Sequence, residues 1–167
     1  KVDYTGHAAS VSFNLGGGAS TGFATWTNIA TVTGAGNASD SITGSNAAYN
    51  LTALNAGNSG TTTWTGFKNL ADTAAGTFNM HSTTDGSVGG NISATGGKLD
   101  YSGYTTAVTL NLAGTGTTGI TGTWSGITRV TGTAGSDTVT GATKTYTLTG
   151  ANAGQSGTVS WTSFENL

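Results

Sequence analysis

The chain has 167 residues, of which only 7% are charged, and its net charge is −2. Its five Lys and Arg are scattered, so nothing forms the basic stripe that phosphate neutralisation requires, and nucleic acid is not an expected partner. No apolar stretch approaches the ~18 residues of a membrane-spanning helix, so membrane insertion is not expected either. Pro and Cys are absent, while Gly fills 29 positions. A flexible Gly/Ser linker would share that bias but would lack regularly spaced Trp, Tyr, Phe, Leu and Val.

From the N-terminus, Val2-Asp3-Tyr4-Thr5-Gly6 leads into Val11-Ser12-Phe13-Asn14-Leu15, where apolar and polar residues alternate. That period of two marks a strand with one face buried, and Thr, Val, Tyr and Trp suit a pleated surface. Trp26-Thr27-Asn28-Ile29-Ala30-Thr31-Val32 follows, and Trp64-Thr65-Gly66-Phe67-Lys68-Asn69-Leu70 echoes it. In both, apolar residues stand three and six positions after the Trp, so a bend or bulge is expected between them. Gly, Asn and Ser turns separate the strands, and no window carries a capped helical stripe. The chain reads as all-β.

Residues 71–98 diverge, yet Gly76-Thr77-Phe78-Asn79-Met80 and Gly90-Asn91-Ile92-Ser93-Ala94 read as strands, with Asp85-Gly86 and Gly89-Gly90 as turns. Then the beginning returns. Residues 99–167 align with residues 2–70 at an offset near 97: Leu99-Asp100-Tyr101-Ser102-Gly103 repeats the opening, and Asn152-Ala153-Gly154-Gln155-Ser156-Gly157 repeats Asn55-Ala56-Gly57-Asn58-Ser59-Gly60. Trp124 and Trp161 take the places of Trp26 and Trp64, at spacings of 37 and 38 residues within each copy. An offset this long implies several coils per repeat, and one Trp-marked unit has about the length of two coils of a parallel β-helix. The expected architecture is a single parallel β-solenoid over residues 1–167: copy one 2–70, divergent coils 71–98, copy two 99–167. Tandem β-sandwich modules are the alternative.

Leu99-Asp100-Tyr101-Ser102-Gly103, Val108-Thr109-Leu110-Asn111-Leu112 and Val130-Thr131-Gly132-Thr133-Ala134-Gly135-Ser136-Asp137-Thr138-Val139-Thr140-Gly141 resemble repeat units of giant bacterial surface proteins, the filamentous-haemagglutinin-like and RTX-associated adhesins. The resemblance implies an extracellular or cell-surface β-helix serving as an adhesin shaft, biofilm matrix or filament, without a catalytic residue. Its partners would be further coils or copies of the same protein, a homopolymer built head to tail. The start at Lys1 suggests a processed fragment with targeting information elsewhere.

Calcium is the sharpest chemical hypothesis. The segment Gly132–Val139 meets the RTX nonapeptide except for its second Gly, and Gly34–Ile42 does so with an insertion, which makes Asp137 and Asp40 the candidate ligands. A calcium site needs six to eight oxygens from tandem copies, and these copies are isolated, so the favoured role is turn-holding by Asx-type hydrogen bonds. No other cofactor is expected. The acids Asp3/Asp100 and Asp40/Asp137 recur as equivalents, as structural positions would, and His7 and His81 stand far apart in sequence, so an enzyme is not expected. Trp26, Trp64, Trp124 and Trp161 are read as core markers, each ring buried near a coil corner against its equivalents. Asn55/Asn152 and Asn69/Asn166 suit amide ladders along the stack. A third function class comes from Thr-x-Thr pairs at residues 25–27, 31–33, 61–63 and 145–147: stacked on a flat face they would bind ice, but they fall at different phases of the repeat.

Overall fold

The computed structural model describes all residues, Lys1–Leu167, and contains strands but no helix. Copy one holds β1 (Val2–Asp3), β2 (Ser12–Asn14), β3 (Thr31–Thr33), β4 (Ser41–Gly44), β5 (Ala48–Ala53), β6 (Ala56–Ser59), β7 (Thr62–Thr65) and the start of β8 (Asn69–Asp72). The divergent segment holds β9 (Thr77–Asn79) and most of β10 (Ile92–Asp100), which runs into copy two. Copy two continues with β11 (Thr109–Asn111), β12 (Trp124–Thr131), β13 (Thr138–Thr140), β14 (Thr147–Gly150), β15 (Ala153–Ser156) and β16 (Val159–Thr162).

These strands stack as a parallel β-solenoid of about 6 turns. The alternation dictates the stacking. In β4 and β8 every second residue is buried, so Ile42 and Leu70 point inward while Thr43 and Ala71 lie at the outer face. Parallel in-register pairing then builds columns of core residues. One runs Phe13, Ile42, Leu70, Ile92, Trp124. A second, further along the same coils, runs Tyr49, Phe78, Leu99, Val130, Trp161. Within it the Tyr49 and Phe78 rings stack at 4.7 Å between centroids, tilted by 13°. Such aromatic pairs add to the stabilisation from burial alone.

The sheet that carries the second column crosses from copy one into copy two through β9 and β10 without a break. One core cluster of 26 buried residues fills the interior from Tyr4 to Phe164. Steps along the first column are 29, 28, 22 and 32 residues (13 to 42, 42 to 70, 70 to 92, 92 to 124). A coil is therefore longer than the sequence suggests: a Trp-marked unit of 37 or 38 residues covers little more than one coil, not two.

The extra length has a physical source. Each copy contains an antiparallel three-stranded meander, β5-β6-β7 in copy one and β14-β15-β16 in copy two. Asn55 and Asn152 make the first meander turn at φ 56° and 54°, and Gly60 and Gly157 make the second at φ 56° and 58°. Asn and Gly tolerate this left-handed backbone better than other residues. Between those turns, Gly57 and Gly154 give the Trp rings room. A Cβ at either would lie 2.7 Å from a Trp64 ring atom or 2.6 Å from a Trp161 ring atom. The motif Asn-Ala-Gly-(Asn/Gln)-Ser-Gly is thus the signature of a hairpin lying over a Trp.

Candidate functional site

The buried carboxylates show what this chain does with its few charges. Asp40 and Asp137 are each fully buried at coil corners. Asp40 accepts the Val11 N–H at 2.9 Å from one coil earlier and the Asn37 N–H at 2.9 Å from its own turn. Asp137 repeats this with Val108 N–H at 2.8 Å, and its other oxygen accepts the Thr133 N–H. The Thr133 hydroxyl donates at 2.9 Å as well. Both carboxylates thus accept N–H groups from two segments and tie a turn to the coil before it. No three His, Asp or Glu side chains gather where they could hold a metal ion.

Sequence reasoning, which reads residues 70–78 as a degraded copy of the glycine-rich motif, assigns no role to a third member of this set. Asp72 accepts the Asn46 and Ala47 N–H groups at 2.9 Å from the coil before, the Ala74 N–H at 2.8 Å and the Tyr49 hydroxyl at 3.1 Å. Burial alone would raise its pKa, yet the donors from Ala47, Ala74, Asn46 and Tyr49 hold it below the ordinary carboxylate range. The Tyr49 hydroxyl is pushed up strongly by desolvation and by the Asp72 charge. The available signal was the cross-strand register that places Asp72 opposite Gly44, and a one-dimensional motif search does not see it.

The Trp residues divide into two kinds. Trp64 and Trp161 are 2% exposed and sit in the meanders, edge-on to Tyr49 and Tyr146 at 6.2 and 6.0 Å. Trp26 and Trp124 lie against the first column; Trp124 pairs with Ile92, and Trp26 lies 4.8 Å from the Phe13 ring and donates its indole N–H to Asn14 O at 2.8 Å. No Trp stacks on another Trp: in register Trp64 lies beside Val32, Trp124 beside Ile92 and Trp161 beside Val130. The Asn residues clamp neighbouring coils through backbone groups. Asn69 Nδ2 donates to Ala38 O and Asp40 O, and its Oδ1 accepts the Asn91 N–H. Asn166 Nδ2 donates to Asp137 O in the same way. Asn55 Oδ1 accepts the Gly89 N–H at 2.7 Å, whereas Asn152 Nδ2 reaches Glu165 within its own block. The side-chain amide ladder lies elsewhere, between the paired residues Asn50 and Asn79.

Three other places gather polar side chains or form a groove: the His81–Asp85 pair, a groove beside Trp124, and a groove of about 350 Å³ lined by Lys98, Arg129 and Ser160. His81 Nδ1 lies 2.9 Å from Asp85 Oδ1, and Asp85 also accepts from the backbone and hydroxyl of Thr105. Thr105 bonds to the carboxylate and not to the imidazole, so no hydroxyl is poised for activation by His81. An open groove of about 410 Å³ runs along Gly96, Leu112, Gly114, Trp124, Ile127 and Val159 and carries no ionisable side chain.

The ends of the stack differ from its middle. Leu51 is 1% exposed, but its repeat equivalent Leu148 is 66% exposed. Leu70 is 1% exposed and its equivalent Leu167 is 57% exposed. In copy one, β9 pairs with the outer edge of β5, and Gly86 closes over Leu51 so tightly that a Cβ there would stand 2.3 Å from the Leu51 Cβ. In copy two, β14 pairs only with β15 and leaves its other edge open. At these edges, residues that are covered in copy one lack a neighbouring coil in copy two. No family model, curated protein or solved structure matches the chain.

Proposed function

We propose that the chain is a structural segment of an extracellular bacterial repeat protein: a shaft, matrix or filament element whose work is to extend a stack of coils. The observation that carries the reading is the use made of the repeated polar residues. Asp40, Asp72, Asp137, Asn69 and Asn166 each bind the backbone of a neighbouring coil. Residues that could have built a pocket are committed to holding coil on coil. Parallel stacking saturates backbone hydrogen bonds along the axis, so unpaired groups are concentrated at the two ends and growth is axial. The low charge leaves little repulsion against association with further coils.

The test is to express tandem arrays of residues 2–98 and image them. The reading predicts rods of constant width whose length rises in proportion to copy number, with β structure unchanged by chelator. Beads on a flexible string would overturn it. A second reading, ice binding, draws support from one patch: Thr31 and Thr33 lie in register over Thr63 and Thr65. Copy two replaces Thr31 and Thr63 with Arg129 and Ser160, which shortens any such array to two rungs. Thermal hysteresis lost in a Thr31→Val/Thr63→Val variant would favour it; ice crystals unchanged by the native chain would end it.

A further inference from the structure

We infer that the open edge formed by β13 and β14 is the seat of one more coil with the chemistry of residues 71–98, joined behind Leu167 in a longer array, and not the seat of β1 of another copy. The inference rests on the shaft reading above and specifies its joint.

Copy one displays the occupied form of this surface. There three contacts of the connector define the seat. Asp72 binds the amides of Asn46 and Ala47 and the Tyr49 hydroxyl. The β9 strand adds in parallel to β5, placing Phe78 on Tyr49. Gly86 then closes on Leu51.

Copy two carries the same seat. Thr143 has φ 59°, as Asn46 has φ 53°, so the corner bends identically. No carboxylate meets the amides of Thr143 and Lys144, and the Tyr146 hydroxyl turns to Gly141 O at 3.0 Å. Leu148 stands exposed on a strand with one free edge. Asn166 pairs with Thr138 and binds Asp137 O, as Asn69 binds Asp40 O, and so aims the backbone as the connector is aimed in copy one.

The opposite end of the stack argues against direct mating of two copies. β1 is the equivalent of the last residues of β10, and inside the molecule β10 meets β9, never β5. A Cβ on Gly103 would meet the His81 ring at 2.8 Å, whereas its counterpart Gly6 has nothing within 4 Å. Both ends therefore present surfaces shaped for a connector coil. Joining β14 to β1 would omit the β9 rung and bring Leu148 no glycine.

The absence of native Cys allows a clean test. Leu148→Cys is placed in the 167-residue chain and in a chain with residues 71–98 repeated after Leu167, and the rate of thiol labelling is measured. The inference predicts near-free labelling in the first and labelling at least roughly 100-fold slower in the second, since a docked coil must open before the thiol reacts. Replacing the appended counterpart of Gly86 by Val, or that of Asp72 by Ala, should restore fast labelling while the rest of the chain keeps its circular dichroism. Equal labelling in both chains would overturn the inference, even if tandem arrays form rods and the shaft reading stands. Protection of the introduced thiol in the unextended chain that grows with protein concentration would overturn it in favour of copy-to-copy mating.

Discussion

The strand β5 of copy one and β14 of copy two arise from nearly the same sequence and the same meander, yet one is interior and the other is an edge. Tyr49-Asn50-Leu51 and Tyr146-Thr147-Leu148 both pair antiparallel with the next strand of their hairpin. Only the first also has β9 on its far side. Leu51 is a core residue and Leu148 is not, for a reason that lies outside either block. In a stack of coils a residue's burial is decided by whether a neighbouring coil is present, because each coil contacts only its neighbours. The residues that make the coils adhere are therefore as much part of the design as those that fill them.

If the two blocks are the same inside, the largest substitutions should not distinguish them. Trp64→Ala and Trp161→Ala should each destabilise by about 3–5 kcal/mol in denaturant unfolding, the range for large buried aromatics. Unequal losses would break the equivalence of the two meanders. The next pair should separate the blocks sharply. Leu51→Ala should cost about 2–5 kcal/mol, because it empties a closed core position, while Leu148→Ala should stay within about 0.5 kcal/mol, as exposed substitutions do.

Asp72→Ala sharpens the comparison from the connector side. It strips the acceptor from three N–H groups, leaves the Tyr49 hydroxyl only Ala71 O, and should cost about 1–3 kcal/mol. The same carboxylate sets a pH dependence. Its folded pKa is lowered, so its contribution is complete above the unfolded carboxylate value near 4 and fades as pH falls through the folded value. Acid titration of thermal stability should thus show a steeper loss below about pH 4 in the native chain than in Asp72→Ala. A comparable effect comes from one glycine and a smaller one from another. Gly86→Ala must push Leu51 aside and should cost about 1–3 kcal/mol, whereas Gly6→Ala meets nothing within 4 Å and bears only the penalty of its φ of 81°, about 1 kcal/mol.

The all-β class, the duplication and the solenoid follow from alternation and self-similarity, which a linear reading captures directly. Strand direction does not, because a period of two is the same for a strand with parallel or antiparallel neighbours. That is why the meanders around Asn55 and Asn152 were not legible, and why a coil was expected to be shorter than it is. Asp40 and Asp137 stood out through a glycine-rich motif, while Asp72 performs the same task without it. Its role depends on Asn46 and Ala47, some 25 residues earlier, being brought to it by register. Gly86 looked like an ordinary turn glycine beside Asp85; only the closeness of Leu51 shows why a side chain is excluded.

Native-state hydrogen exchange on the unmodified chain tests the contrast between interior and edge most directly. The account predicts that amides of Tyr49–Leu51 exchange only through global unfolding, while those of Tyr146–Leu148 exchange by local opening at least roughly a hundred times faster. Equal protection of the two segments would contradict it.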